Sequence, residues 1–227
     1  MSRGQLILIE GLDRTGKSTQ VELLVQKLIA TGKHATSMKF PQRSTPIGKI
    51  INTYLVDKSF EIPDQAAHLL FLANRWELQQ EIVQLLNDGH FIILDRYIYS
   101  GIAYSLAKQS TSGSQLGDLQ WLYSPDIGLP KPDLTLFLDI NVEELGKRLG
   151  WGEERYETVQ FQKLVQKSFY RLFIGSNGSV NDDVQFIDVN NKLIDQVAEN
   201  IWDQCNKLNK ITLVEKEIGR FTTDHIK

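Results

Sequence analysis

Residues 11–18 read Gly-Leu-Asp-Arg-Thr-Gly-Lys-Ser, and this stretch restricts the fold of the chain more than any other. Its two glycines let successive backbone N–H groups converge on phosphate oxygens, an approach that side chains there would hinder. Such a loop works only between a strand and a helix, whose N-terminal amides and dipole add to the pull on an anion. Both flanks comply. Residues 5–10 (Gln-Leu-Ile-Leu-Ile-Glu) are a short apolar run ending in glycine, which predicts a buried strand. Val21, Leu24, Val25, Leu28 and Ile29 recur at helical spacing, and Gly32 stops the helix they predict over 18–31. Chance alone produces the eight-residue pattern in roughly 1% of chains of this length, and more rarely in that setting. Gly11, Asp13, Arg14, Thr15, Gly16, Lys17, Ser18 and Thr19 are therefore candidate ligands for ATP. Lys17 is suited to the β and γ phosphates and the Ser18 hydroxyl to Mg²⁺.

The remaining pattern extends the same architecture. Strands are expected at 34–40, broken by Pro41, then at 91–95 (Phe-Ile-Ile-Leu-Asp), 134–139 (Leu-Thr-Leu-Phe-Leu-Asp) and 184–189. Ile47, Ile50, Ile51, Tyr54 and Leu55 mark one helix, and residues 64–86 read as one long helix closed by Asp88-Gly89. Further helices are expected at 97–108, 142–149, 158–173 and 193–208. Strands alternating with helices predict an α/β fold: a P-loop NTPase-type parallel sheet of about five strands, with helices on both faces. Ligands in such sheets bind beyond the carboxyl ends of the strands, so the residues that follow each strand are the candidates for chemistry. The Ser- and Gly-rich residues 108–118 read as a flexible surface loop, and the charged tail after about 210 carries no assignment. No linker interrupts the 227 residues, which predicts a single domain over 1–227.

Charge and composition exclude several classes. A formal charge of −3 and a pI near 5.8 lack the basic excess of a general nucleic-acid binder. Cys205 is the one cysteine, and the four histidines are scattered, so neither a disulfide nor a zinc site is expected. The apolar run at Leu6–Ile9 is too short for a signal peptide, and no stretch approaches the ~18 apolar residues of a membrane span. The expectation is a soluble protein of the cytoplasm or nucleus.

Phosphoryl chemistry also needs a metal-side carboxylate at a strand end. Asp95 and Asp139 both qualify by position, and Asp95 is favoured because Arg96 follows it. That would set a metal-facing and a phosphate-facing charge side by side. A GTPase switch would need an Asn-Lys-x-Asp guanine reader. In Asn191-Lys-Leu-Ile-Asp195 the aspartate comes one residue late. The two readings left open by the loop alone are a nucleotide kinase and an atypical switch.

On the acceptor side, Arg43 follows a predicted strand, where an anion could sit. Phe71 and Arg75 lie one helical turn apart on one face. A ring that stacks beside a guanidinium that donates to a carbonyl suits a nucleobase. A core phenylalanine and an arginine paired with a carboxylate would fit the same spacing.

Six segments taken together decide between these. In order they are the loop at 11–18, Phe40-Pro-Gln-Arg-Ser-Thr45, His68-Leu-Leu-Phe-Leu-Ala-Asn-Arg-Trp-Glu77, Asp95-Arg-Tyr-Ile-Tyr-Ser-Gly-Ile-Ala-Tyr104, Gly128-Leu-Pro-Lys-Pro-Asp133 and Glu154-Arg-Tyr-Glu157. The chain resembles the thymidylate kinase family, of eukaryotic and in particular fungal type, from about residue 3 to 165. The resemblance implies transfer of phosphate from MgATP to dTMP. Phe71 would stack on thymine and Arg75 would bond its 4-carbonyl. Arg43 and Arg96 would hold the dTMP phosphate, and Asp13 the sugar 3′-hydroxyl. Phe40, Ser100, Tyr104 and Tyr156 would complete the acceptor site, with Tyr104 filling the room of a ribose 2′-hydroxyl. Ser18 and Asp95 would hold the metal. A lid over ATP would span about 148–157, with Arg148 against adenine and Asn191 or Lys192 nearby. A homodimer is also implied; the apolar face of 64–86 (Leu69, Leu72, Leu78, Ile82, Val83, Leu86) could serve it, and ordinary core burial explains that face equally well.

Two departures bear on the site. Residues 108–118 form a longer stretch than the family leads one to expect. The lid Gly150-Trp-Gly-Glu-Glu154 has few cations before Arg155, whereas the phosphate loop itself carries Arg14. The expected catalytic set is accordingly Arg14, Lys17, Asp95 and Arg96.

Overall fold

A computed structural model describes residues 3–112, 116–146, 151–152, 154–175, 178–211 and 217–223. Five parallel strands form one sheet: β1 (Leu6–Gly11), β2 (Ala35–Lys39), β3 (Phe91–Asp95), β4 (Leu134–Asp139) and β5 (Val184–Asp188), in the order β2-β3-β1-β4-β5. Position in the sheet explains composition. The central strands β1, β3 and β4 are covered on both faces and read as nearly unbroken Leu, Ile and Phe. The edge strands β2 and β5 admit Thr, Ser, Lys and Gln, because water reaches one side.

The helices follow in chain order: α1 (Lys17–Ala30), α2 (Pro46–Val56), α3 (Asp64–Glu77), α4 (Gln79–Asn87), α5 (Ile98–Ser112), α6 (Leu119–Tyr123), α7 (Val142–Leu145), α8 (Val159–Phe173) and α9 (Ile194–Ile211). The main core is packed by Leu, Ile and Phe from the sheet against α1, α5 and α8, each fully buried side chain stabilising by about 1.5–3 kcal/mol. β1 and β3 pair with Ile9 opposite Asp95, and β2 and β3 with Lys39 opposite Asp95. The carboxyl ends of three strands therefore meet beside the N-terminus of α1.

Two expectations need correction, and three further points bear on the rest. Residues 64–86 are two helices, because the Leu78 amide turns to Arg75 O at 3.2 Å and ends α3 there. Residues 108–112 belong to α5 and not to a loop, with Ser110 and Thr111 hydroxyls donating back to the carbonyls of Leu106 and Lys108 at 3.0 and 2.9 Å. Leu116 is buried in the core, and residues 113–115 lie outside the described residues. On the apolar face of 64–86, Leu72, Ile82 and Leu86 are buried within the chain itself, so they form no outer surface. The polar tail also does more than its composition suggests. Phe221 is buried against Tyr97, Tyr99 and Tyr123, and its segment hydrogen-bonds to residues 128–131. The helix expected at 142–149 is described as far as Leu145, with 147–150 outside the described residues.

Candidate active site

The phosphate loop links β1 to α1 as its sequence requires. Gly11 and Gly16 adopt φ of 151° and 93°, and Arg14 adopts 61°, a left-handed conformation unusual for a side-chain-bearing residue. A Cβ on Gly11 would meet Leu138 O at 2.9 Å, so the position admits no side chain. Lys17 is buried and donates to Leu12 O at 2.5 Å. Burial, with the Arg96 cation second, pushes its ammonium down to about 7, against the pull of Asp95, Asp13 and Glu10.

Ser18 Oγ donates to Asp95 Oδ2 at 2.6 Å, and the Lys39 ammonium stands 3.2 Å from Ser18 Oγ and 3.5 Å from Asp95. Burial pushes the Asp95 carboxyl up, but Lys17, Lys39, the Ser18 hydroxyl and Arg96 together outweigh it and hold it below the usual range. Asp139, the other strand-end candidate, accepts from Tyr170 and Gln166 on α8 instead.

Arg96 also has a left-handed backbone, with φ of 67°. Its guanidinium donates to Gly11 O at 3.0 Å, to Ser100 Oγ at 2.9 Å and to Asp13 Oδ1. The Ser100 hydroxyl in turn donates to Glu10 at 2.6 Å. Glu10 is fully buried; burial pushes its carboxyl up, against Arg96 and the donors Ser100 and Tyr97. Gln162 Nε2 donates to Asp13 Oδ2 at 2.8 Å and reaches the Tyr104 hydroxyl at 3.4 Å, while the Arg96 guanidinium lies 5.4 Å from the Tyr104 ring centre.

A cavity of about 600 Å³ opens onto these groups. Its walls include Asp13, Arg14, Gly16, Lys17, Ser18, Thr19, Asp95 and Arg96 from the phosphate loop and the end of β3, together with Phe40, Arg43, Phe71, Arg75, Ser100, Tyr104 and Tyr156. The Thr15 hydroxyl turns to Leu12 O at 3.0 Å within the loop. Arg148 lies outside the described residues. Lys192, expected near adenine, pairs with Asp188 at 3.1 Å.

Like Arg96 on Asp13, the other three described cavity arginines already hold carboxylates. Arg14 Nε meets Glu157 at 2.8 Å, Arg43 meets Glu154 at 2.7 Å, and Arg75 grips Asp126 through Nε and Nη2 at 2.8 and 2.6 Å. Glu154 and Glu157 both come from the short segment ahead of α8. Arg155 between them turns the other way and donates to the carbonyls of Tyr54, Asp57 and Phe60 on α2 and the turn beyond it. Lys39, Glu10, Asp126 and Gln162 escaped the sequence reading. Only the strand register would have indicated Lys39, and no local signal marks the other three.

A buried lysine and a serine–carboxylate pair under a glycine loop, opening on a basic and aromatic cleft, define a P-loop nucleotide kinase. A family model described as thymidylate kinase matches residues 9–201. The chain belongs to the thymidylate kinase family of nucleoside monophosphate kinases. It is 51% identical to the thymidylate kinase of Schizosaccharomyces pombe over 171 residues, covering 75% of this chain and 78% of that one. It is 46% identical to the human thymidylate kinase over 170 residues, covering 75% and 77%. The structure of thymidylate kinase from Candida albicans superposes with a TM-score of 0.89 at 52% identity, covering 98% of this chain and all of that one.

Proposed function

We propose that this chain transfers the γ-phosphoryl group of ATP to dTMP, giving dTDP and ADP. One observation carries the reading: a single cavity joins the phosphate loop to the Phe71, Arg75 and Tyr104 pocket, so donor and acceptor can meet inside it. An acceptor phosphate oxygen forms a bond to the γ-phosphorus while the bond to the β–γ bridging oxygen breaks, and that oxygen leaves with ADP. The attacking oxygen is already anionic, so no general base is required. The protein contributes alignment and charge. Lys17 and Arg14 lie on the donor side. Arg43 and Arg96 receive the acceptor phosphate, Asp13 the 3′-hydroxyl, and Phe71 stacks on the base. Tyr104 fills the room a 2′-hydroxyl would need.

Ser18 and Asp95 suit Mg²⁺. Asp95 Oδ1 is buried without a hydrogen-bond partner among the described residues, beside a hydroxyl, and these two oxygen donors would suit a hard cation. When bound, the ion supplies neutralisation of the β- and γ-phosphate charge. The segment 154–157 serves as part of a lid. Substrate phosphates would take over Arg43 and Arg14 from Glu154 and Glu157. A homodimer would use the outward side of α3, where Leu69 and Trp76 stay 43% and 39% exposed.

An acceptor panel of dTMP, dUMP, dCMP, dGMP, AMP, thymidine and no acceptor, each with MgATP, tests the reading. The expected result is the highest kcat/KM for dTMP. Faster turnover of thymidine or of a purine monophosphate would overturn it.

A further inference from the structure

The Arg75 guanidinium lies in a slot between two residues from different parts of the chain. Behind it, Asp126 takes Nε and Nη2 in a bidentate pair, and the two side chains are 3% and 0% exposed. Beside it, Gly101 of α5 leaves just enough room. A methyl group there would stand 2.8 Å from Nη1 and 3.3 Å from Cζ. Arg75 and Gly101 both line the cavity, whereas Asp126 is not among its lining residues. The carboxylate therefore cannot meet a ligand itself. It occupies two of the three guanidinium nitrogens and leaves Nη1 for the cavity side.

Stability explains this arrangement poorly. Burial pushes the Asp126 carboxyl up even against the Arg75 cation, and buried ion pairs commonly return little more than their desolvation cost. A fork-to-fork pair does fix one property well, the plane and rotation of the guanidinium. Gly101 stands within α5, where alanine would favour the helix more, so its presence also calls for a reason, and clearance for Nη1 supplies one.

We propose that Asp126 is a positioning residue for base recognition: with Gly101 it holds the Arg75 guanidinium in one plane, so that Nη1 donates to a carbonyl of the acceptor base. The pair thereby sets preference for a base with a carbonyl at that edge over one with an amino group. This rests on the reading above that Arg75 faces the base.

The test compares Asp126→Asn, Gly101→Ala and Arg75→Ala in the full chain, with dTMP and dCMP as acceptors. Asp126→Asn loosens the guanidinium from behind. Gly101→Ala leaves the ion pair intact and pushes on Nη1 from the other side, which Asp126 prevents from yielding. Both should raise KM for dTMP by about 10-fold or more, the worth of a charged hydrogen bond, and lower the dTMP/dCMP ratio of kcat/KM by a similar factor. KM for ATP should stay within about twofold, since Asp126 and Gly101 do not approach the donor end. If Asp126→Asn fails to fold, Gly101→Ala decides alone. Folded variants with a lowered Tm but unchanged KM and unchanged dTMP/dCMP ratio would reduce Asp126 to a structural partner. If Arg75→Ala itself leaves both quantities unchanged, the base-facing reading of Arg75 fails. If Arg75→Ala changes them and the other two do not, the positioning proposal alone fails.

Discussion

Ser18 Oγ donates to Asp95 Oδ2 at 2.6 Å, tying the phosphate loop to the end of a strand 77 residues further along the chain. The other carboxylate oxygen, Oδ1, is buried without a hydrogen-bond partner among the described residues. Asp95→Asn keeps the shape and removes the charge that would face Mg²⁺. Turnover should fall by at least about 10²-fold, while the thermal melting curve stays cooperative. The concentration of Mg²⁺ needed for half-maximal rate should rise. Asp139→Asn, whose carboxylate is engaged by Tyr170 and Gln166, should be far milder. Steady-state kinetics on both variants over a Mg²⁺ series check this, and the reverse order would move the metal site to the end of β4.

Lys17 predicts a proton count. Burial, then Arg96, push its ammonium down to about 7 in the protein without nucleotide. Phosphate oxygens brought next to it favour the charged form and must raise that value. At pH 6 the ammonium is charged before and after binding, so nothing is taken up. At pH 8 it is mostly neutral before and charged after, so ATP binding should take up close to one proton. Calorimetry in buffers of differing ionisation enthalpy measures the count directly, and Lys17→Met should abolish the difference between the two pH values. The same linkage works on folding without nucleotide. A lysine whose pKa is depressed in the fold makes stability rise with pH from about 7 towards its unfolded value near 10.5.

Phe71 is half-buried, packed on the small cluster of Ile51, Tyr54, Leu55 and Ala67 while it lines the cavity. The residue is thus part of a core cluster and also borders the cavity. Phe71→Ala should raise KM for dTMP by the equivalent of about 1–3 kcal/mol of stacking and leave KM for ATP nearly unchanged. A circular-dichroism melt run in parallel separates loss of stacking from loss of fold.

What was legible in the sequence was contiguous. The loop at 11–18 declares its chemistry because all its ligands are neighbours in the chain. Phe71 and Arg75 were legible as a pair, both on the cavity wall, because a helix sets residues four apart on one face. Lys39 was missed because its place beside Asp95 depends on the order β2-β3-β1, which periodicity does not reveal. Asp126 was missed because it meets Arg75 across 51 residues, from a turn with no repeating pattern. The break at Leu78 was missed because the apolar spacing continues through it. Phe221 was missed because a polar, charged tail gives no sign that one ring in it returns to the core.

Arg14 supplies the last prediction. Its backbone φ of 61° is a conformation that glycine adopts freely, so Arg14→Gly relieves local strain and should not harm the loop. The substitution removes the guanidinium from the donor end of the cavity together with its 2.8 Å contact to Glu157. Arg14 is 33% exposed but Glu157 only 6%, so losing the pair also costs stability, and a thermal melt run beside the kinetics separates that cost from the loss of catalysis. A cation near the transferred group stabilises charge that spreads over three oxygens in the transition state, and arginines in that role can contribute ~10³–10⁵ in turnover. With Lys17 and Mg²⁺ still in place, Arg14→Gly should lower kcat by at least about 10²-fold and change both Michaelis constants much less. Arg155 is a poor substitute, because it is bound to three carbonyls on and beyond α2. Arg14→Lys, which restores a charge but not the planar fork, should recover part of the loss. Turnover of Arg14→Gly within a few-fold of the parent would make Arg14 only an anchor for Glu157, and would leave Lys17, Arg43 and Arg96 as the described cations assigned to the reacting phosphates.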